Sequence, residues 1–160
     1  MPIILANSSS FDGCLESGTH RLFGMNEPET IRAMLGTPPR TIAVIGLSAN
    51  AAKPSHYVPA YMQQHGYRIL PVNPTVDSVL GEKCYASLAE LPIKPDIVNV
   101  FRLPKYIPGI VDEMLQLGFK NLWVQLGIVN VEAAARAEAG GIHVVMDHCI
   151  MVEHRHLTNL

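Results

Sequence analysis

The 160-residue chain has few of the features that mark secreted, disordered or nucleic-acid-binding proteins. Its three cysteines, Cys14, Cys84 and Cys149, are odd in number and far apart, which fits neither a disulfide framework nor a paired thiolate metal site and predicts a reducing compartment. Charged residues make up only 16% of the sequence, too few for a disordered chain. The formal net charge of -2 and the lack of a basic cluster argue against a nucleic-acid partner.

Long hydrophobic runs are also missing, since none approaches the roughly 18 residues of a membrane helix. The apolar stretch at residues 1–6 has no basic region before it, unlike a signal peptide. We therefore expect a cytoplasmic protein without membrane contact. What the sequence does have is a 48% hydrophobic content, enough at this length to build the core of one domain.

The domain is predicted to begin at residue 26, because the polar residues 1–25 lack any period and read as a flexible extension. Within 26–160, apolar runs predict strands at 41–46, 67–72, 96–101, 121–126 and 142–146. Helical patterns occupy 27–35, 54–65, 105–117 and 131–139, with a short helical piece at 87–91 in the loop-rich segment 73–95. This alternation predicts a Rossmann-like α/β fold, a doubly wound parallel five-stranded sheet in three α/β/α layers.

Three polar pairs or caps mark helix starts. Asn26 and Glu29 have the spacing of a capping box for the first helix, and Ser87 and Glu90 have it for the short helical piece. Asn130 is predicted to cap the helix that ends at residue 139.

Ligands of such sheets bind outside the carboxyl ends of the strands. The small, amide-bearing, hydroxylic and cationic residues predicted at those ends, together with the neighbouring Phe101, are Gly46, Ser48, Lys53, Pro54, Ser55, Asn73, Pro74, Phe101, Arg102, Lys105, Gln125 and Gly127. Gly46 lets backbone approach a ligand closely, while Ser48, Ser55 and the free amides of the helix start can bind phosphate oxygens. Two interpretations stay open, phosphate binding or a tight turn at Gly46 followed by a helix cap at Ser55.

The dinucleotide signature Gly-x-Gly-x-x-Gly is missing, and the second strand ends in Asn73 rather than an acidic residue. These two absences weaken an NAD site strongly and an NADP site less, because Arg102 and Lys105 could meet a further phosphate. A solvated Arg and Lys at a helix start is the alternative. Gln125 either satisfies a buried backbone group or contacts a ligand.

The sequence does not predict a complete catalytic site. Cys149 follows His148 directly, and adjacent strand residues point to opposite sides, which disfavours a nucleophile and base pair. No pair of carboxylates for acid–base work falls in the strand-end loops. The residues His143, His148, Glu153, His154 and His156 match no metal-binding spacing, and the last of them are predicted to form a solvated tail. Tyrosine, tryptophan and methionine residues are interpreted mostly as core packing.

Several consecutive motifs between residues 41 and 157 resemble a known family. They are Ile42-Ala43-Val44-Ile45-Gly46-Leu47-Ser48, Lys53-Pro54-Ser55, Gly66-Tyr67-Arg68, Pro71-Val72-Asn73-Pro74, Val100-Phe101-Arg102, Trp123-Val124-Gln125-Leu126-Gly127 and Val145-Met146-Asp147 with Cys149 and Glu153. The sequence is similar to the small stand-alone CoA-binding proteins, whose domain is related to that of the succinyl-CoA synthetase alpha subunit. His148 departs from the pattern, since the family more often has Arg or Lys before this cysteine.

The resemblance implies that coenzyme A lies among the strand-end residues named above, with its nucleotide and pyrophosphate near the loop that follows Gly46. Ligase relatives use a phosphorylated histidine in a further domain, which is not expected here. The leading hypothesis is therefore a non-catalytic binding or regulatory protein for CoA or acyl-CoA, with a CoA-dependent enzyme as a candidate partner. The alternatives are an NADP-binding oxidoreductase and an interaction subunit with a vestigial nucleotide pocket.

Overall fold

The structure, a computed structural model, describes residues 25–36 and 40–159. Its helices are α1 (Pro28–Leu35), α2 (Pro54–Gln64), α3 (Ile107–Leu117), α4 (Val131–Ala139) and α5 (Ile150–Thr158). Its strands are β1 (Thr41–Ile45), β2 (Arg68–Val72), β3 (Ser78–Val79), β4 (Glu82–Lys83), β5 (Ile97–Val100), β6 (Asn121–Val124) and β7 (His143–Met146). The extension predicted for residues 1–25 lies outside the described residues except for Met25, so that domain boundary stays a prediction.

Five parallel strands form the central sheet in the order β2-β1-β5-β6-β7. The chain moves from β1 to β2 on one side and continues from β5 to β7 on the other, so strand order reverses between β1 and β5. Ile45 and Val100 are register partners at the carboxyl ends of these two strands. The predicted doubly wound, Rossmann-like sheet is confirmed, and in such sheets ligands bind at the carboxyl ends of the strands where this reversal lies.

Alternating side chains of the strands build a core on each face of the sheet. Ala43 packs in the cluster that α3 and α4 cover. Ile42 and Val44 point the other way, into the cluster formed with α1, α2 and α5. Most strand positions are therefore apolar, because both faces of the sheet are buried.

The carboxyl-terminal segment is a correction, because residues predicted as a solvated tail form α5. Ile150 and His154 are buried four positions apart on one face of this helix. Glu153 in its first turn and Arg155 near its end complement the helix dipole. This helix packs against α2 and α1 and completes the second layer.

Asn26 does not cap α1 as predicted, since Glu27 holds the N-cap position and makes no side-chain cap bond. Instead, the Asn26 carboxamide pairs with the edge of β7. Its Nδ2 donates to the Met146 carbonyl at 2.9 Å, and its Oδ1 accepts the Met146 amide at 2.7 Å. A carboxamide carries both a donor group and an acceptor, so the Asn26 side chain satisfies the N–H and the C=O of one residue on this edge strand.

Of the other predicted caps, Asn130 is confirmed, because its Oδ1 accepts the Ala133 amide at 3.0 Å. The short helical piece is a single 3₁₀ turn, Leu88–Glu90, and Ser87 makes no side-chain cap bond there. Within 73–95, β3 and β4 also form a small antiparallel hairpin that the sequence did not predict. Among the residues that the structure describes, no helix combines the length and apolar character needed to cross a membrane.

Candidate functional site

Two cavities open at the carboxyl edge of the sheet, one on each side of the point where strand order reverses. The larger, called the large cleft, has a volume of about 800 Å³. It is lined by Lys53, Pro54, Ser55, Tyr57 and Val58 from the start of α2, by Phe101, Arg102, Leu103, Tyr106, Gln125, Leu126 and Ile128 from the segments after β5 and β6, and by Cys149, Met151 and Val152 at α5.

The second cavity, called the small cavity, has a volume of about 290 Å³ and lies between the ends of β1 and β2 and helix α3. Its lining consists of Ile45, Gly46, Val72, Asn73, Pro74, Ala86, Ser87, Leu88, Arg102, Tyr106, Gly109, Ile110 and Glu113. Arg102 and Tyr106 line both cavities. The two spaces are therefore neighbours that share one wall.

Most of the predicted site residues come together around these cavities. The large cleft contains Lys53, Pro54, Ser55, Phe101, Arg102 and Gln125. The small cavity contains Gly46, Asn73 and Pro74, in addition to Arg102. Ser48, Lys105 and Gly127 line neither cavity.

These three residues lie in the segments that surround the cavities and contact other parts of the protein. The Ser48 hydroxyl accepts the Asn50 amide at 3.0 Å and so holds the loop after β1. The Lys105 ammonium lies 5.1 Å from the centre of the Tyr106 ring. The Gly127 amide donates to the Asp147 carboxylate at 2.7 Å, which ties the loops after β6 and β7 together.

Position 46 requires a glycine, because the backbone there packs too closely for a side chain. Its φ of +84° lies in the left-handed region, and a Cβ at this position would stand 2.6 Å from the Phe101 carbonyl oxygen. The loops that follow β1 and β5 therefore touch at their first residues. This contact fixes the wall on which Arg102 stands.

Two predicted amides are engaged with the protein itself. The Asn73 Nδ2 donates to the Leu47 carbonyl at 2.9 Å, while its Oδ1 accepts from Thr75. The Gln125 Nε2 donates to the Asn99 side chain at 2.7 Å, and both of these residues are buried. Gln125 thus satisfies a buried side chain rather than a backbone group, and it lines the large cleft as well.

Two cations face the cleft without carboxylate partners. In residues 25–36 and 40–159, the ion pairs are Arg136 with Asp112 and His148 with Glu153, so neither Lys53 nor Arg102 is neutralised. The Arg102 guanidinium lies 4.3 Å from the centre of the Tyr106 ring, which orients it by a cation–π contact. Helix α2 also begins here without an acidic residue in its first turn. The local field therefore favours an anionic ligand.

Within the described ranges, the histidine and cysteine side chains considered for catalysis do not form a nucleophile and base pair. The His148 Nδ1 lies 3.0 Å from the Glu153 carboxylate, so this ring is engaged with α5. Cys149 lines the large cleft, whereas His143 begins β7 at the opposite edge of the sheet. No cluster of three His, Cys, Asp or Glu side chains suited to a metal ion occurs in the described part of the chain.

The apolar lining of the large cleft was not predicted from the sequence. Tyr57 and Tyr106 are exposed at its rim instead of packing in the core. Met151 and Val152 reach it from α5, the helix that the sequence analysis missed. The sequence did contain a signal for this helix, since Glu153 lies in its first turn and Arg155 and His156 lie in its last turn.

Behind the large cleft, α5 is held to α2 by an aromatic cluster. The His154 Nδ1 lies 2.9 Å from the Tyr61 hydroxyl, and the rings of His65 and Tyr67 stand 5.1 Å and 5.7 Å from the His154 ring. Arg155 covers the outer face of Tyr61. His154 is only 7% exposed, so protonation would place a charge inside this cluster.

This burial, with the neighbouring His65, lowers the pKa of His154 below its ordinary value of 6.5. The unfolded chain then binds a proton at His154 more readily than the folded chain does. We expect the free energy of unfolding to be at its full value above about pH 6.5 and to decrease as the pH falls through the lower folded-state pKa. Urea unfolding of the protein and of His154→Gln at pH 8 and pH 5.5 measures this dependence of the free energy of unfolding on pH.

The matched control is His156→Gln, because His156 lies exposed on the same helix. This control should keep the pH dependence of the parent protein, whereas His154→Gln should reduce it. Equal pH dependence in all three proteins would show that His154 does not carry the effect.

The fold and these cavities define a Rossmann-type α/β domain with a cleft at the carboxyl edge of its sheet that contains the cations Lys53 and Arg102. The chain belongs to the CoA-binding domain family, whose sequence pattern matches residues 40–155. This confirms the resemblance seen in the sequence, and the family supports CoA as the general class of ligand.

Relatives of known sequence and structure agree with this assignment. The chain is 45% identical over 115 residues to the uncharacterized protein YneT of Bacillus subtilis, covering 72% of this chain and 85% of that protein. It superposes with a TM-score of 0.76 on a solved Thermus thermophilus structure that is 40% identical, covering 81% and 98% of the two chains. It is also 34% identical over 85 residues to an ADP-forming acetate–CoA ligase of Archaeoglobus fulgidus, covering 52% of this chain and 13% of the ligase.

Proposed function

We propose that this protein binds coenzyme A or an acyl-CoA across both cavities and serves as a binding or regulatory protein without catalysing a reaction. The observation that carries the proposal is the wall shared by the two cavities. Arg102 lines both of them, so one elongated ligand can place its charged centre at this side chain and extend to either side. Coenzyme A has that construction, with a diphosphate between a 3′-phosphorylated adenosine and an amide-containing arm.

Each cavity suits a different end of CoA. The small cavity is lined by the polar side chains of Ser87 and Glu113, and we assign the nucleoside to it. Lys53, Ser55 and Arg102 meet in the large cleft and would bind the diphosphate oxygens through charge-assisted hydrogen bonds. The pantetheine arm then runs along the large cleft, past Gln125.

The non-catalytic role is supported by the hydrogen bonds that polar side chains near the cleft make to each other. His148 is paired with Glu153, and Gln125 is paired with Asn99, so these side chains stabilise the walls. Because a ligase of Archaeoglobus fulgidus contains a similar segment, a CoA-dependent enzyme is the partner class that we propose. Free Cys84 and Cys149 are compatible with the reducing cytoplasm, where we place the protein.

Calorimetric titration of the nucleotide-free protein with CoA, NAD and NADP tests the proposal. We expect CoA to bind and the two dinucleotides to bind far more weakly. Selective NADP binding would replace the proposal with an oxidoreductase, and failure of all three ligands to bind would favour an interaction subunit with a vestigial pocket.

Lys53→Ala is expected to weaken CoA binding by about 1–3 kcal/mol, or roughly 5- to 150-fold, because it removes one charge-assisted hydrogen bond to phosphate. Lys120→Ala is the matched control, since Lys120 is an exposed lysine just before β6, at the opposite edge of the sheet. Unchanged CoA affinity in Lys53→Ala would place the diphosphate elsewhere.

A further inference from the structure

Exposed apolar side chains are concentrated at the large cleft. The described residues include ten large hydrophobic side chains that are exposed, and five of them line this cleft: Tyr57, Leu103, Tyr106, Leu126 and Val152. Leu103 and Leu126 are the most exposed of the ten, at 62% and 67%. Exposed apolar side chains grouped on one cleft indicate a surface that binds a ligand or a partner.

The same cleft also contains two basic residues. Lys53 and Arg102 stand among the lining residues, and the remaining walls include Val58, Ile128 and Met151. At about 800 Å³ the space lies toward the upper end of the range for small-molecule pockets, roughly 300–1,000 Å³. A ligand whose phosphates are bound at Lys53 and Arg102 therefore has apolar surface available beyond them.

We propose that the large cleft selects acyl-CoA thioesters with an apolar, medium-length acyl chain over free CoA and over thioesters with a charged acyl group. This inference rests on the proposed function, because CoA binding places the thioester in the cleft. The acyl chain is the part of such a ligand that has no polar atoms, and it would cover the exposed Leu103 and Leu126. Burial of this apolar surface stabilises the complex.

Charge argues against an acidic acyl group such as succinyl. Lys53 and Arg102 are the basic residues that line the large cleft within the described chain, and both are assigned to the phosphates. A second carboxylate in the apolar part of the cleft would lose its hydration without a cationic partner, which is costly. An apolar chain has no such penalty.

The test is calorimetric titration of the full-length protein with CoA, acetyl-CoA, succinyl-CoA and octanoyl-CoA, with octanoate alone as a further ligand. Each buried methylene is expected to tighten binding about fourfold, so burial of about three methylenes of the octanoyl chain predicts about 60-fold tighter binding than acetyl-CoA. Succinyl-CoA should bind no better than acetyl-CoA. Octanoate alone should bind weakly, because it lacks the phosphates.

The double variant Leu103→Ser with Leu126→Ser should reduce the ratio of octanoyl-CoA to acetyl-CoA affinity at least tenfold, roughly the effect of two lost methylene contacts. Ile93→Ser with Leu117→Ser is the matched control, because both residues are exposed and line neither cavity. The control should retain the full ratio, and urea unfolding verifies that both variants remain folded.

The outcomes separate this inference from the proposed function. If no CoA species binds, the proposed function fails, and the inference fails with it. If CoA and all thioesters bind with equal affinity, CoA binding stands and acyl selection is overturned. If the protein self-associates through the Leu103 and Leu126 patch and the thioesters bind equally, the patch is an interface between copies of this chain and the inference is also overturned.

Discussion

Gly46→Ala is expected to lower the free energy of unfolding by about 2–5 kcal/mol, the largest stability change among the variants considered. A left-handed backbone costs an alanine about 1–2 kcal/mol, and the φ of Gly46 is +84°. The new Cβ would also stand 2.6 Å from the Phe101 carbonyl oxygen, which is backbone and cannot rotate away. Such overpacking costs roughly 1–3 kcal/mol more.

Gly81→Ala separates these two contributions. Gly81 has a similar φ of +74°, but nothing lies within 4 Å of the position its Cβ would take. Urea unfolding should therefore show a loss of only about 1–2 kcal/mol for Gly81→Ala, the backbone cost alone. If the two variants were equally stable, the contact between the loops after β1 and β5 would not be tight in solution.

Gly46→Ala should also weaken CoA binding, because the loops can separate only by moving the wall that carries Arg102. Gly81→Ala should leave binding unchanged, since Gly81 lines neither cavity. Titration of both variants at a temperature where each is folded distinguishes loss of the site from loss of the fold.

The strands and the site edge could be predicted because their physical signals are local. A run such as residues 42–45 is apolar at every position, which in a short segment indicates a strand buried on both faces. The position of a ligand site in a doubly wound sheet then follows from topology alone. The structure confirms the strands and the sheet topology. The close backbone approach at Gly46 is to the Phe101 carbonyl, and the position of the ligand stays a prediction.

Helix α5 was missed because its apolar signal is weak. His154 occupies a buried position that an aliphatic residue would normally mark, and its burial depends on Tyr61, His65 and Tyr67 from distant parts of the chain. Sequence spacing cannot show such a partner. For the same reason the cleft residues contributed by this helix, Met151 and Val152, were not predicted.

The roles of polar residues at the strand ends were also hard to assign from sequence. Asn73, Ser48 and Gln125 have the donors and acceptors that a ligand would need, yet each bonds to the protein. The chemistry of an amide or a hydroxyl is the same in both uses. Only the positions of the partners, which depend on the tertiary structure, separate a wall residue from a residue free to meet a ligand.

Arg102→Gln is expected to produce the largest loss of CoA affinity of any single binding variant, about 10- to 150-fold. The guanidinium supplies charge-assisted hydrogen bonds worth roughly 1.5–3 kcal/mol, and glutamine keeps similar bulk while removing the charge. Lys53 lines one cavity, whereas Arg102 lines both and is oriented by the Tyr106 ring 4.3 Å away. Its loss should therefore affect the charged centre of the ligand directly.

Lys105→Gln is the matched control, because Lys105 carries the same charge in the same segment, also beside Tyr106, but lines neither cavity. It should change CoA affinity by less than about threefold, as expected for an exposed charge that makes no direct contact. Titration of Arg102→Gln with pantetheine, which has no phosphate, distinguishes two roles for Arg102. If the guanidinium binds the diphosphate, affinity for CoA falls while affinity for pantetheine is retained; if both fall together, Arg102 acts by holding the shared wall in place.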